Sequence, residues 1–121
     1  MEEASKYFLG SIVAYSNGWK ERFLHVSRST LDQKGAASRE AVIEMVTGLL
    51  SETEADYGAA ITGLAGSSGG RIYIATCCRG EKVDAGAIQP PSERGAAIEL
   101  AVHLALGALW RRLVHKTATF S

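Results

Sequence analysis

The sequence predicts a single α/β domain in which helices cover both faces of a mixed β-sheet. Three observations support this prediction. Short apolar runs alternate with longer segments of helical periodicity, in the order β-α-α-β-β-β-α. The length of 121 residues suits one domain. Thirteen glycines indicate several tight turns between closely packed elements.

The composition argues against several classes of function. Thirteen basic and thirteen acidic side chains cancel, so we expect no nucleic-acid partner and no membrane partner. Cys77 and Cys78 are adjacent in an apolar run, which predicts buried thiols on opposite faces of a strand. Because the three histidines are scattered, we expect no metal site and no cofactor. The N-terminus lacks the features of a signal peptide, so a cytoplasmic protein is expected.

Residues 7–15 are predicted to form the first strand, because their aromatic and β-branched side chains suit a strand covered on both faces. This strand ends in a polar turn made of Tyr15, Ser16 and Asn17. Asn17 can cap the helix that follows. The buried side of that helix is predicted to comprise Trp19, Phe23 and Leu24.

Two further helical segments are predicted before the next strand. Ser27 can cap a short one that ends near Gly35, a typical helix-terminating glycine. Ser38 can cap a longer helix over residues 38–52. The apolar residues that repeat at helical spacing along it are Val42, Met45, Val46, Leu49 and Leu50.

The second half of the chain predicts three strands and a long helix. Residues 56–62 suit a short inner strand, and residues 71–78 and 83–89 suit an antiparallel hairpin. Ser92 can cap the final helix after two prolines. Its predicted core-facing residues are Ala97, Leu100, Ala101, Leu104, Leu109 and Leu113.

The turn after the first strand is the first candidate site. Tyr15 closes the strand and Lys20 lies five residues later on the helix, so both side chains can point into the same space. A buried lysine loses its proton more readily and can act as a base, and a neighbouring tyrosine can relay that proton. The alternative is structural, with a core Tyr15, a solvated Lys20 and a capping Asn17.

Thr62 and the glycine-rich loop over residues 63–70 form the second candidate site. Successive backbone N–H groups in such a loop can hold a phosphate or an oxyanion, although tight turns require glycine as well. Arg94, in the first turn of the final helix, is the third candidate. An arginine beside a helix N-terminus can bind a phosphate through two hydrogen bonds, and its alternative is an exposed side chain.

Three segments in sequence carry a resemblance to a known family: FLGSIVAYSNGWKERFLHV, KGAASREAVIEM and ADYGAAITGLAG. They resemble the CinA C-terminal domain family, over nearly all of residues 5–113. The resemblance implies a three-layer α/β/α sandwich with a mixed sheet. Its members include the nicotinamide-nucleotide amidases of NAD salvage, which hydrolyse nicotinamide mononucleotide to the nicotinate form and ammonia.

The same resemblance implies roles for individual residues. Tyr15 and Lys20 match the tyrosine and lysine that activate the family's serine nucleophile, and Thr62 matches the threonine before its GxAG loop. Arg94 matches an arginine that helps to hold the nucleotide. The other implied substrate-binding residues are Ser16, Asn17, Gly63, Ala65 and Gly66.

The sequence also departs from the family pattern. The family's nucleophile lies in an ESCTGG motif, which these 121 residues do not contain. The loop after Thr62 is shortened, and Ile98 replaces a second arginine. Two explanations account for the missing motif. The true start of the protein lies further upstream, or the protein is a shortened, degenerate relative. The shortened loop and Ile98 favour the second explanation.

Two functional hypotheses therefore stay open. The first is a nicotinamide mononucleotide amidohydrolase, in which residues 1–121 form one CinA-like domain without the family's first helix and strand. The second is a non-catalytic nucleotide-binding or assembly module of the same family. A sheet that lacks an element leaves an edge or an apolar face uncovered, so we also expect a homo-oligomer.

Overall fold

The computed structural model describes residues 9–14, 16–63, 70–89, 94–116 and 118–120. The helices in these ranges are α1 (Asn17–Leu24), α2 (Arg28–Gln33), α3 (Arg39–Glu52) and α4 (Arg94–Val114). The strands in these ranges are β1 (Tyr57–Thr62), β2 (Ile72–Cys78) and β3 (Asp84–Ile88).

The three strands form an antiparallel sheet in the order β1-β2-β3. Ala75 in the central strand lies opposite Ala60 on one side and Ala85 on the other. The predicted hairpin of the last two strands is thereby confirmed.

The strand predicted over residues 7–15 is not formed by residues 9–14, the described part of that range. Val13 is 67% exposed there. A β-branched run favours extended backbone, but a strand also needs a neighbouring strand with which to pair. The expected mixed character of the sheet depended on this segment, and the three described strands are all antiparallel.

Helices cover both faces of the sheet, which gives the predicted three-layer α/β/α arrangement. On one face, Val42, Val46 and Leu50 of α3 pack against Ala75 and Cys77. The opposite face packs against α4. Its contacts join Ile72 and Ile74 of β2 to Ala97, Ala101 and Ala105. Helices α1 and α2 contact α3, so they form the outer part of the first helical layer.

The predicted caps of α2 and α3 are confirmed. The hydroxyl of Ser38 accepts a hydrogen bond from the N–H of Ala41 at 3.1 Å, and that of Ser27 accepts one from Thr30 at 3.2 Å. Gly35 follows α2 with a φ of +87°, the left-handed conformation that a helix-terminating glycine adopts. Local capping chemistry therefore sets these boundaries.

The predicted core-facing side of α4 is partly wrong. Leu100 and Leu113 are exposed, whereas the fully buried apolar side of this helix consists of Ala97, Ala101, Ala105 and Ala108. Alanines let the helix approach the sheet closely, and they leave the bulkier side chains outside. Helical spacing alone did not identify this face, because α4 is apolar on more than one side. No helix in the described ranges is long and apolar enough to cross a bilayer.

Cys77 and Cys78 are buried free thiols, as predicted. Burial raises the pKa of the Cys77 thiol, which favours the protonated and unreactive form.

The end of the chain is tied to the start of β3. Asp84 is 1% exposed, and its carboxylate accepts hydrogen bonds from the backbone N–H groups of Thr119 at 2.6 Å and Phe120 at 2.7 Å. A Cβ added at Gly86 would lie 2.7 Å from Phe120, so the ring occupies the space that this glycine leaves. The C-terminal residues thereby join the layer that contains α4.

Candidate functional site

Ser16 begins α1, and this position fixes where Lys20 lies. The Ser16 hydroxyl accepts a hydrogen bond from the N–H of Trp19 at 3.1 Å, which makes Ser16 the N-cap. The prediction that Asn17 is the cap is wrong, because Asn17 is the first helical residue and is exposed. Both side chains are good caps, and only the turn geometry selects between neighbours.

Lys20 is buried on the side of α1 that faces α3. It lies four residues before Leu24, and residues at this spacing share one face of a helix. Both are buried, with Lys20 only 7% exposed. The prediction that Trp19 belongs to the buried side is wrong, since Trp19 is 53% exposed and stacks edge-on against Phe23. The structure therefore contradicts the alternative of a solvated Lys20.

The Lys20 amine has a backbone carbonyl as its partner. Its Nζ donates a hydrogen bond to the carbonyl oxygen of Ala14 at 2.9 Å. In the described ranges, the Lys20 amine takes part in no ion pair. Burial lowers the pKa of the amine from its ordinary value, because the charged form loses hydration. A neutral amine in this position has a free lone pair that can accept a proton.

Thr62 closes β1 and is also buried. Its hydroxyl donates a hydrogen bond to the carbonyl oxygen of Ala36 at 2.8 Å. Gly63 follows with a φ of +103°, and a Cβ there would lie 2.5 Å from the carbonyl oxygen of Arg71. The glycine that begins the loop is therefore required by the backbone path.

The residues that accept hydrogen bonds from Lys20 and Thr62 pack against one apolar cluster, made of Leu24, Val26, Leu31, Ala41 and Met45. Ala14, which accepts from Lys20, packs against this cluster, and so does Ala36, which accepts from Thr62. Ala60 of β1 also packs against it. We call Lys20, Thr62 and their two acceptor carbonyls the Lys20–Thr62 site.

The two acceptor carbonyls are the part of this site that the sequence did not predict. Ala14 and Ala36 contribute backbone oxygens. Because every residue has a backbone carbonyl, the amino-acid type does not identify these acceptors. The burial of Lys20 did have a signal, its four-residue spacing from Leu24.

Several predicted site residues are not tested by the structure. Tyr15, Ala65 and Gly66 lie outside the described residues. Arg94 begins α4, but its side chain also lies outside what is described. In the described part of the chain, no group of three or more histidine, cysteine, aspartate or glutamate side chains could hold a metal ion.

Sequence comparison relates the chain to proteins named for CinA. Residues 1–113 match the CinA C-terminal domain. A CinA-like protein of Leptospira borgpetersenii serovar Hardjo-bovis (strain L550) is 35% identical over 117 residues, which cover 91% of this chain and 28% of that protein. A CinA-like protein of Thermosipho melanesiensis is 46% identical over 66 residues, covering 54% and 16%. The chain thus spans less than a third of the length of these relatives.

Solved structures share the fold. A competence-damaged protein (CinA) superfamily protein from Klebsiella pneumoniae 700603 gives a TM-score of 0.76 at 31% identity, covering 84% of this chain and 67% of that one. The competence damage-inducible protein A from Klebsiella pneumoniae MGH 78578 gives 0.77 at 29% identity, covering 85% and 68%. The family match covers most of the sequence, and these neighbours share its layered architecture. The chain therefore belongs to the CinA C-terminal domain family.

Proposed function

We propose that the Lys20–Thr62 site serves the hydrolysis of nicotinamide mononucleotide to nicotinate mononucleotide and ammonia, with Lys20 as the general base. One observation carries this proposal. The Lys20 amine is buried and donates a hydrogen bond to the carbonyl of Ala14, and no ion pair in the described ranges includes it, so burial is free to lower its pKa.

The reaction needs a base that also returns its proton. A hydroxyl oxygen attacks the carboxamide carbon, and the neutral Lys20 amine takes the hydroxyl proton as the C–O bond forms. The ammonium of Lys20 then gives a proton to the departing nitrogen as the C–N bond breaks, and ammonia leaves. The hydroxyl can belong to water itself, or water can hydrolyse an acyl intermediate that forms first. In both cases the net reaction converts the amide and water to the acid and ammonia. General base catalysis of this kind contributes roughly 10²- to 10⁴-fold to the rate.

The geometry of Thr62 restricts its role. Its hydroxyl proton is already donated to Ala36, so the hydroxyl can only accept a further hydrogen bond. We therefore propose that Thr62 positions the strand end, while backbone N–H groups of the following loop hold the oxyanion.

The remaining roles follow the family resemblance. We propose that Tyr15 relays the proton and that Arg94 anchors the nucleotide phosphate. The proposed substrate contacts are Ser16, Asn17, Gly63, Ala65 and Gly66. We propose that this activity belongs to nicotinamide nucleotide salvage in the cytoplasm.

Ammonia release from nicotinamide mononucleotide tests this function. We expect the purified chain to release ammonia and its Lys20→Ala variant to release much less, because the variant lacks the proton acceptor. Gly107→Ala is a matched control, since a Cβ at Gly107 meets no atom within 4 Å. Equal release by wild type and Lys20→Ala would reject Lys20 as the base, and no release by either would reject the enzyme function for this chain.

A second candidate function is a non-catalytic module that binds the nucleotide. It is favoured by the hydrogen bonds themselves, because Lys20 and Thr62 both donate to backbone carbonyls, so each side chain has a partner without any catalytic role. Calorimetric titration with nicotinamide mononucleotide separates the two functions. Saturable binding without ammonia release would support the binding module, whereas binding with Lys20-dependent release would support the enzyme.

A further inference from the structure

A cavity of about 220 Å³ lies beside the end of α4 and shares no residue with the Lys20–Thr62 site. Its walls come from three parts of the chain: the turn between β2 and β3, the last turn of α4 and the tail that follows this helix. Its charged lining residues are Glu81, Lys82, Asp84, Arg112 and Lys116. The cavity is therefore a separate and strongly polar feature of the fold.

Arg112 is the buried cation of this cavity. Its side chain is only 8% exposed, and arginine is rarely buried to this degree without a full set of partners. Its Nη2 donates a hydrogen bond to the carbonyl oxygen of Lys82 at 3.0 Å. Its ion pair in the described ranges is with Glu81, whose Oε1 lies 3.6 Å from Nη2, beyond hydrogen-bond distance. The charge of Arg112 is thus only partly compensated.

Most of the guanidinium donors of Arg112 are unused in the described part of the chain. The group has five N–H donors, and the hydrogen bond to Lys82 uses one of them. Because Nη2 carries one N–H on each edge of the group, one edge keeps both of its donors. Among the described side chains, Thr76 Oγ1 is the one fully buried polar atom that lacks a partner. The unpaired Nε and Nη1 of Arg112 are therefore open to the cavity that this side chain lines.

The charges around the cavity favour an anion. Three of the lining side chains are cationic, Lys82, Arg112 and Lys116, and two are acidic. Asp84 is one of the acids, and its two oxygens already accept hydrogen bonds from the backbone of the tail. Glu81 is the other, and its side chain is 57% exposed, so water screens its charge. The lining therefore keeps a net positive charge.

We propose that this cavity binds a small oxyanion, a carboxylate or a phosphate group, on the free edge of the Arg112 guanidinium. Such an edge matches two oxygens of the anion and forms two parallel hydrogen bonds with them. Lys82 and Lys116 are exposed and add positive charge at the mouth of the cavity. This proposal does not depend on the amidohydrolase function.

The dipole of α4 limits the affinity of this site. The C-terminal end of a helix carries about half a negative charge, which opposes an anion bound there. The net positive charge of the lining is larger, but the difference is small. We therefore expect dissociation constants in the millimolar range.

NMR titration with sodium phosphate and, separately, with sodium acetate tests the site. The chain mass of 12.9 kDa suits amide spectra. At constant ionic strength, we expect the amide signals of Lys82 and Val83 to shift and to saturate with at least one of the two anions. Saturation with phosphate alone would assign the site to phosphate groups, and saturation with acetate alone would assign it to carboxylates.

Three variants locate the anion. Arg112→Lys keeps the charge but loses the planar fork, so it should bind at least about tenfold more weakly. Lys116→Met removes an exposed charge from the lining and should weaken binding several-fold. Arg111→Met is the matched control, because Arg111 is exposed beside Arg112 in the sequence but does not line the cavity. It loses the same charge as Lys116→Met and should keep the wild-type affinity.

The absence of a saturable shift with both anions would overturn the proposal. Equal weakening by Lys116→Met and Arg111→Met would also overturn it, because the anion would then respond to the overall charge of the chain and not to this cavity. The amide spectrum of each variant shows whether it is folded. If Arg112→Lys does not fold, the comparison of the other two variants still decides, since both replace exposed side chains.

Discussion

Lys20 is an ionisable side chain that the fold buries beside apolar residues. It shares one face of α1 with Leu24, and its only described hydrogen bond is to the carbonyl of Ala14. The same burial that lowers the pKa of the amine makes the charged form costly in the folded state. The residue best suited to act as a base is therefore also one that lowers stability.

Replacing Lys20 with methionine should reveal this cost. The unfolded amine has the ordinary pKa of 10.5 and the folded amine a lower one, so the unfolded state binds more protons between these values. Wild-type stability should therefore rise with pH through that window, and Lys20→Met should not share the rise. We expect Lys20→Met to be more stable than wild type at pH 7, by about 1 kcal/mol, with a smaller difference at pH 10.

Urea unfolding at the two pH values measures this difference, and Lys34→Met is the control because Lys34 is exposed. A difference between wild type and Lys20→Met that stays constant with pH would show that Lys20 has an ordinary pKa.

Single residues also show what the sequence could predict at this scale. The caps Ser27 and Ser38 were predicted, because a serine hydroxyl just before an amphipathic helix can accept a hydrogen bond from a backbone N–H of the first turn. The sequence does not decide between a buried and a solvated Lys20, because most lysines are exposed and tertiary packing determines the exceptions. The roles of Tyr15 and Arg94 stay predictions.

Helices α1 and α3 cross at Gly48. A Cβ at this position would lie 1.7 Å from the carbonyl oxygen of Leu24, so the two backbones approach too closely for any side chain. This contact holds the helix that carries Lys20 against the first helical layer.

Gly48→Ala should therefore destabilise the protein by about 3 kcal/mol, because the two backbones must separate. Gly107→Ala is the matched control in α4, where a new Cβ meets open space. It should stabilise by about 0.5–1 kcal/mol, since alanine favours the helix. Thermal unfolding of both variants measures the effect, and a Gly48→Ala variant as stable as wild type would contradict the close crossing.

The elements differ in how well their sequences specify them. Helix α3 and the β2–β3 hairpin were predicted, because their apolar periodicity and turn residues agree. The orientation of α4 was predicted only in part: Ala97 and Ala101 are buried as expected, but Leu100 and Leu113 are exposed, because larger residues repeat at the same spacing outside. The segment over residues 9–14 has strand-forming side chains, but no strand pairs with it in the described structure.

At the scale of the molecule, the chain end closes the layer on the α4 side of the sheet. Asp84 accepts hydrogen bonds from Thr119 and Phe120, and this buried carboxylate links β3 to the tail. Asp84→Asn should loosen the tail and lower the free energy of unfolding by about 2 kcal/mol, because the charge is lost and one of the two acceptor oxygens becomes an amide donor that faces a backbone N–H.

Carboxypeptidase digestion followed by mass spectrometry detects the released tail. The exposed Asp32 provides the control variant Asp32→Asn, which should be digested at the wild-type rate. Equal digestion of Asp84→Asn and wild type would show that the carboxylate does not hold the tail.

The family and the layered architecture could be predicted for the whole molecule, because several motifs occur in a fixed order. The apolar outer face of α4 could not, because burial depends on how elements pack rather than on their order. The expected homo-oligomer stays a prediction.

Lys20 is the proposed base for the hydrolysis of nicotinamide mononucleotide. The most direct measurement is the pH dependence of nicotinate mononucleotide formation by the wild type and by Lys20→Met. We expect the wild-type rate to fall as the pH is lowered, with a midpoint below the ordinary lysine pKa of 10.5. We expect the rate of Lys20→Met to be lower by at least about 10²-fold. Equal rates for the two proteins would contradict it.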